Sequence, residues 1–391
     1  MYDFSNDAVK LEALRRKAFN YRWAIHDPGV IPLTAADPDF PVAEPIVRAI
    51  HSYCADGYFS YGPPEGDAAF KWAISDYYNS KYAAETNPEY ILPVNSAAYG
   101  LFVAAKTILK PGDTAIIPNP VDFLFRKAIE SAGAEVVPIT IDKTNAAFDL
   151  ALLDQHLSTS TKAIFICNPN NPLGRSLSKD HLEELIRWAQ KHDLWIVSDE
   201  IWADIDLGGK VSSLLSRDLP SYEKKIVVSG LSKNYGLAGL RIGYIISQTE
   251  ELQYEILQQS GHLTTAFGLS AISQAAGTAA LTECGAWLEN WLNHLRKMQA
   301  LSLQAISELG LFQPIQPDAT YLLFPAFKDP SIDSGAWVER ALKEARVALV
   351  PGGTQWFESA SEGHVRICFS TSEAILNEAF ERLNDWVKRT F

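Results

Sequence analysis

The sequence predicts an α/β protein: a mainly parallel sheet flanked by helices, with a smaller α+β domain attached. Three observations predict it. Short β-rich runs alternate with helical patterns through the middle of the chain. Most of those runs are apolar almost without interruption. Near residue 280 the alternation gives way to a long amphipathic stretch followed by short strands. Continuous apolar strands suit a sheet buried on both faces, which is what helices packed against a parallel sheet produce.

The expected strands are 114–118 (TAIIP), 135–141 (EVVPITI), 163–167 (AIFIC), 194–198 (LWIVS), 225–229 (KIVVS) and 241–246 (RIGYII). Between the third and fourth, 180–192 (DHLEELIRWAQKH) sets Leu182, Leu185, Ile186 and Ala189 on one helical face, and Ser178 or Asp180 is placed to cap its start. Beyond the sheet, 283–309 reads as one long amphipathic helix. The segments 319–324, 346–350 and 364–369 read as short strands, and 373–389 as a final helix. The chain is therefore divided into an N-terminal segment, 1–44, that joins the small domain, a large domain at 45–280, and a small α+β domain at 281–391. No internal repeat or low-complexity segment is present.

Composition narrows the function. The 391 residues are 47% hydrophobic and 21% charged, an ordinary globular balance. A net charge of −13, with no basic run longer than Arg15-Arg16-Lys17, argues against nucleic acid or an anionic membrane as partner. The start lacks a basic-then-apolar leader and no apolar run reaches membrane length, so neither leader nor span is expected. The four cysteines have no CxxC spacing, which removes zinc-ribbon and thioredoxin readings and fits a reducing cytoplasm. The eight histidines are scattered without HExxH, so no metal is expected.

The most informative stretch is 229–244, SGLSKNYGLAGLRIGY. Lys233 follows a buried strand among small residues, where lost solvation lowers an amine's pKa and favours a Schiff base; a surface lysine in a glycine-rich turn is the plain alternative. Arg241 offers a fixed fork suited to phosphate. Asp199, at the carboxyl end of LWIVS, points to the crevice where α/β sheets bind ligands, or else caps a helix. After another strand, CNPNNPLG at 167–174 makes a rigid turn in which Asn171 can donate a hydrogen bond. NSAAYG at 95–100 precedes a helical pattern over 101–109, and a helix start offers free amides to an anion.

These four blocks, in this order and spacing, resemble the aminotransferase class I/II superfamily of pyridoxal-phosphate enzymes, fold type I. The resemblance covers nearly the whole chain, including AADPDFPVAEPIVRAI at 35–50, YGPPEG at 61–66 and GHVRICFS at 363–370. It implies a seven-stranded, mainly parallel sheet, pyridoxal 5'-phosphate as cofactor, and a homodimer with shared active sites acting on a small amino-acid substrate. Lys233 then matches the lysine that binds the cofactor and shuttles the α-proton, Asp199 the acid on the ring nitrogen, and Asn171 the donor to the ring oxygen. Ser96 with the amides of Ala97 and Ala98 matches the phosphate cradle, joined by Ser232 and Arg241. Tyr61 matches a tyrosine that reaches the other subunit's phosphate, or only packs. Arg366 matches the fork for the substrate α-carboxylate, or a structural ion pair. Ala36 lets its backbone approach the substrate, or makes a tight turn.

Three positions depart from the family pattern. Trp202 stands where a tyrosine is usual, Gly230 where a serine is usual, and Pro120-Val121-Asp122 where an aromatic normally stacks on the cofactor. Asp122 then works near the cofactor on protons beyond the α-carbon or on a cationic side chain. Alternatively it caps a helix and Phe123 stacks instead. Trp202 is a packing change or a specialised contact. The opening Tyr2-Asp3-Phe4-Ser5 and LTAADPDFP are similar to the carbon–sulfur lyase (cystathionine beta-lyase-like) branch. With the three departures, this favours elimination, replacement or cyclisation at the β or γ carbon of a basic or sulfur amino acid. Transamination to a 2-oxo acid is the alternative, and a non-catalytic cofactor-binding relative is the alternative of another class.

Overall fold

The computed structural model describes residues 2–209, 211–313 and 315–390. Its centre is a seven-stranded sheet made of β1 (Ile91–Asn95), β2 (Thr114–Asn119), β3 (Glu135–Thr140), β4 (Thr161–Cys167), β5 (Trp195–Asp199), β6 (Lys225–Gly230) and β7 (Ile242–Ile246). The spatial order is β1-β7-β6-β5-β4-β2-β3. Only β7 runs antiparallel to its neighbours, β1 and β6. The expected α/β class and mainly parallel sheet are therefore observed. β1 (ILPVN) was not expected as a strand. It is an edge strand carrying Pro93, and an edge is where a missing N–H is tolerated.

Alternation along the strands feeds two cores. Ile164, Ile166 and Ile196 enter one cluster, while Ala163, Phe165, Cys167 and Val197 enter the other. A sheet covered on both faces needs apolar residues at every position, which is why these strands read as unbroken runs. The registers Cys167↔Asp199 and Asp199↔Val228 bring the carboxyl ends of β4, β5 and β6 level. The crevice above them is where such folds bind ligands.

Helix boundaries differ from expectation in three places. The helix expected at 180–192 spans Lys179–Lys191 and is capped by Ser178, whose Oγ accepts from His181 N at 3.2 Å. The helix expected from residue 101 begins earlier and spans Ala97–Ile108. The helix expected at 283–309 spans Gly285–Leu309, two residues shorter at its start, and is preceded by a separate helix, Ala271–Glu283, that was not expected. In the C-terminal part, Leu322–Leu323, Val365–Cys368 and Val350–Pro351 form a small antiparallel sheet, and Glu373–Thr390 is the last helix. Ile31–Pro32 pairs with Val347–Ala348. No described helix is long and apolar enough to cross a membrane.

The segment between Ile31 and Phe40 is held by a buried ion pair. Arg22 and Asp39 are both almost fully buried and pair directly. Trp23 Nε1 donates to Asp39 Oδ1 at 2.8 Å, and Arg22 Nη1 donates to Pro32 O at 2.9 Å. Breaking such a pair strands the surviving charge in a dry site. Arg22→Met is expected to lower the unfolding free energy by about 3–5 kcal/mol, read from urea midpoints. A loss within about 0.5 kcal/mol, the range of an ordinary surface change, would remove this role.

Candidate active site

The level strand ends open into a cavity of about 530 Å³. It draws residues from three parts of the chain: the 20–36 segment, the sheet and its loops, and the strand carrying Arg366.

One end is built for an anion. Ser96 caps the Ala97–Ile108 helix with φ 87°, and its Oγ accepts from Tyr99 N at 3.3 Å. The first-turn amides of Ala97 and Ala98 therefore point out of the helix without intrahelical acceptors. Strand β7 passes so close that a Cβ on Gly243 would lie 2.2 Å from the Ser96 carbonyl carbon. Only glycine permits that approach, and a non-glycine residue at positive φ marks a held, strained start. Arg241, itself left-handed at φ 57°, lines the same end, as does Ser232. The Arg241 side chain makes no hydrogen bond or ion pair among the described residues. Free amides, a serine and an unpaired guanidinium fit a phosphate.

The floor is Asp199. It is buried, accepts from Ile201 N at 3.0 Å, and forms no ion pair among the described residues. Burial pushes its pKa up to about 7, the Ile201 amide opposes this, and the nearby Asp122 charge adds to it. A carboxylate so placed is matched by a cationic ring nitrogen, so residues at both ends of the cavity fit pyridoxal 5'-phosphate.

Above the floor, Lys233 Nζ donates to Ala36 O at 2.8 Å and lies 5.4 Å from the Trp202 ring centroid. Burial lowers the lysine pKa; Asp37 raises it and Arg366 lowers it further. Trp202 is buried edge-on against Tyr321, whose hydroxyl also donates to Ala36 O, at 3.3 Å. Ala36 thus supplies one carbonyl to two donors.

At the far end, buried Arg366 donates from Nη1 to Asn171 Oδ1 and from Nη2 to Thr34 O, each at 3.2 Å, and its buried Nε has no partner. Asn171 Nδ2 donates to Asp122 Oδ2 at 2.9 Å. Asp122 Oδ1 accepts from Leu124 N at 3.1 Å at the start of the Leu124–Ser131 helix. Asp122 therefore both holds a helix start and faces the cavity, and burial raises its pKa. Phe123 lines the cavity too, edge-on to Trp356 at 6.2 Å, and Tyr21 meets Trp356 from the other side at 5.6 Å. The Trp356 loop is fastened by Phe123 N to Trp356 O at 3.0 Å, and by Arg126 to Glu358 with two bonds of 2.8 Å.

All the residues given a cofactor or substrate role, except Tyr61, line this cavity. Tyr61 is 84% exposed and packs against Phe267 instead. Sequence reading did not single out Thr34, Tyr321, Trp356 or Phe357, although Thr34 lies within LTAADPDFP and Trp356 and Phe357 shortly precede GHVRICFS. Among the described residues no His, Cys, Asp or Glu group is arranged to hold a metal.

The profile of the family described as aminotransferase class I and II matches residues 28–383. An aspartate aminotransferase of Thermotoga maritima is 29% identical over 92% of this chain and 91% of its own. An aromatic-amino-acid aminotransferase of Thermococcus litoralis is 28% identical over 95% of both. Among solved structures, an aromatic aminotransferase from Pyrococcus horikoshii covers 93% of this chain and 97% of its own, at 27% identity and a TM-score of 0.86.

These relatives overturn the expected elimination, replacement or cyclisation at a side-chain carbon, because they are named for amino-group transfer. The departures that suggested it have structural accounts. A Cβ on Gly230 would lie 2.4 Å from Ile242 O, so no serine fits there. Trp202 fills a buried slot against Tyr321, and both oxygens of Asp122 are engaged by protein donors.

A pH dependence follows from Asp199 and its neighbour Glu200, which burial also pushes up to about 7. Between the ordinary carboxylate range and about 7, the unfolded chain releases protons that the folded chain keeps. Stability of the cofactor-free protein is therefore expected to fall as pH rises through that window and to level off above it. Asp199→Asn is expected to flatten the decline in urea midpoints, and an unchanged slope would refute the assignment.

Proposed function

This chain belongs to the class I and II aminotransferase family, whose enzymes work with pyridoxal 5'-phosphate, and on that premise we propose that it moves the amino group of an α-amino acid with an aromatic or large apolar side chain to a 2-oxo acid. The observation that carries this is Arg366: a buried guanidinium with an unpartnered Nε, lining the same cavity as Lys233.

Bound pyridoxal phosphate supplies an electron-withdrawing ring that makes the substrate α-proton acidic. Ser96, Ala97, Ala98, Ser232 and Arg241 would hold its phosphate, and Trp202 and Phe123 would flank its ring. Asp199 would keep a proton on the ring nitrogen, since a cation beside it would stabilise its buried carboxylate. Asn171 donates to the ring oxygen, and Asp122 fixes the orientation of that amide. Arg366 grips the substrate α-carboxylate, with the Ala36 backbone beside it. That grip aligns the α-carbon with Lys233, whose lowered pKa suits an amine that takes the proton from one carbon and returns it to another.

The side-chain preference rests on the mouth. Tyr21, Phe123 and Trp356 make an aromatic collar there. The cavity-lining cations are Lys233, Arg241 and Arg366, each already assigned, while Asp122 repels a second carboxylate. We assign a homodimer on the exposed aromatic face of Tyr58, Phe59, Tyr61 and Phe267, with Tyr61 reaching across to the partner's phosphate site. The four thiols are all free, and we place the enzyme in the cytoplasm.

With 2-oxoglutarate as acceptor, phenylalanine is expected to exceed aspartate in kcat/KM by at least about tenfold, with glutamate formed in step with phenylpyruvate. Product release that needs no 2-oxo acid would overturn the transaminase reading. Lys233→Ala is expected to lower kcat by about 10²–10⁴-fold or more. Light scattering is expected to give twice the chain mass, and a single-chain mass would remove the shared site.

A further inference from the structure

Asp204 lies outside the cavity and takes no part in the chemistry above, yet its buried carboxylate accepts four side-chain hydrogen bonds among the described residues. Its Oδ1 accepts from Lys81 Nζ at 2.6 Å, Tyr77 Oη at 2.9 Å and Tyr82 Oη at 2.5 Å. Its Oδ2 accepts from Asn234 Nδ2 at 2.5 Å. Asn234 is the residue after Lys233, and its Oδ1 in turn accepts from Tyr235 N at 2.9 Å. Asp204 itself stands five residues after Asp199 and two after Trp202. One carboxylate therefore ties together three things. These are the segment that carries Asp199 and Trp202, the loop that carries Lys233, and the end of the Ala68–Lys81 helix.

A buried carboxylate is retained only where donors satisfy it, and four donors including a cation do so here. The tyrosine hydroxyls stay protonated, because burial raises both well above their ordinary value. They remain donors across the working pH range. The bond to Asn234 is the only one of the four that leads to the lysine loop. The other three fasten Asp204 to the helix.

We propose that Asp204 is a positioning residue: through Asn234 it fixes the backbone of Lys233 at a set place relative to Asp199 and Trp202. The proposal rests on the reading of Lys233 as the cofactor-binding amine. Charged side chains acting on Lys233 are Asp37, Arg366, Asp122 and Asp199. A lysine that shifts among them changes its proton affinity.

The test uses the full-length protein loaded with pyridoxal phosphate, as wild type and as Asn234→Ala, Asp204→Asn and Tyr82→Phe. Three readouts are taken: the absorbance titration of the lysine–cofactor chromophore, kcat and KM separately, and the thermal midpoint of the cofactor-free protein. Asn234→Ala and Asp204→Asn are expected to move the chromophore pKa by about one unit and lower kcat at least about tenfold, with KM changed less than about threefold. Tyr82→Phe removes a donor but spares the Asn234 link. It is expected to lower the midpoint while leaving the titration and kcat as in wild type. Asn234→Ala that moves only the midpoint would overturn the proposal. If Asp204→Asn fails to fold, Asn234→Ala decides alone. A wild-type protein that forms the chromophore but transfers no amino group would refute the proposed function, and the titration would still judge the positioning role. A wild-type protein that forms no chromophore would overturn both.

Discussion

The hydrogen bond from Lys233 Nζ to the carbonyl of Ala36 is the contact on which the rest of the site depends. It joins a loop at the end of a central strand to a segment near the N-terminus, and each side is anchored elsewhere. Ala36 stands in the segment pinned by the Arg22–Asp39 pair, and Asp39 N reaches Ser370 O at 3.1 Å. Thr34, two residues before Ala36, accepts from Arg366. The amine and the guanidinium are thus registered against the same short stretch of backbone. An error in that stretch displaces both, and displacement of an ångström is enough to cost a reaction heavily.

This arrangement keeps unfavourable charge in place. Asp199 is held near neutrality by burial, Arg366 retains an orphaned donor, and Lys233 is made less basic. Each is poorly satisfied by the protein alone, and on the proposed reading the cofactor and a carboxylated substrate would satisfy them. The chain gives up folding stability at these positions for a site whose dipoles need no rearrangement when its ligands arrive. The Asp204 cluster lies outside the cavity, and there four donors meet one carboxylate, whereas the Arg22–Asp39 pair leaves Arg22 Nε and Asp39 Oδ2 without partners among the described residues.

Much of this was legible in the sequence, for a definite reason. A strand buried on both faces has to be apolar throughout, and the residue that ends it has to be chosen by what it touches. Asp199 after LWIVS and Asn171 after AIFIC stood out on that ground. β1 did not, because an edge strand with a proline lacks the signal. The helix from Ala97 starts earlier than its apolar periodicity, because Ala97, Ala98 and Gly100 are small where the strands of the sheet come close. Trp356, Tyr321 and Asp204 were illegible for another reason. Their partners are supplied by packing between distant segments, and chain neighbours such as Trp202, two residues before Asp204, do not reveal them.

The departures from the family pattern carry the same lesson in reverse. In the sequence, Gly230, Trp202 and Asp122 read as altered chemistry. In space they are answers to neighbours. Gly230 gives way to the Ile242 carbonyl, Trp202 fills the space beside Tyr321, and Asp122 is bonded at both oxygens. A substitution near a cofactor changes the reaction only if it leaves a new group free to reach a reacting atom. Asp122 comes nearest to doing so, and its oxygens are already committed to Leu124 and Asn171. Its influence therefore passes through the amide it orients and through the field it sets at Asp199 and Arg366. On the proposed reading, that makes Asp122 a determinant of which substrate is accepted, and leaves the choice of which bond is broken to Lys233.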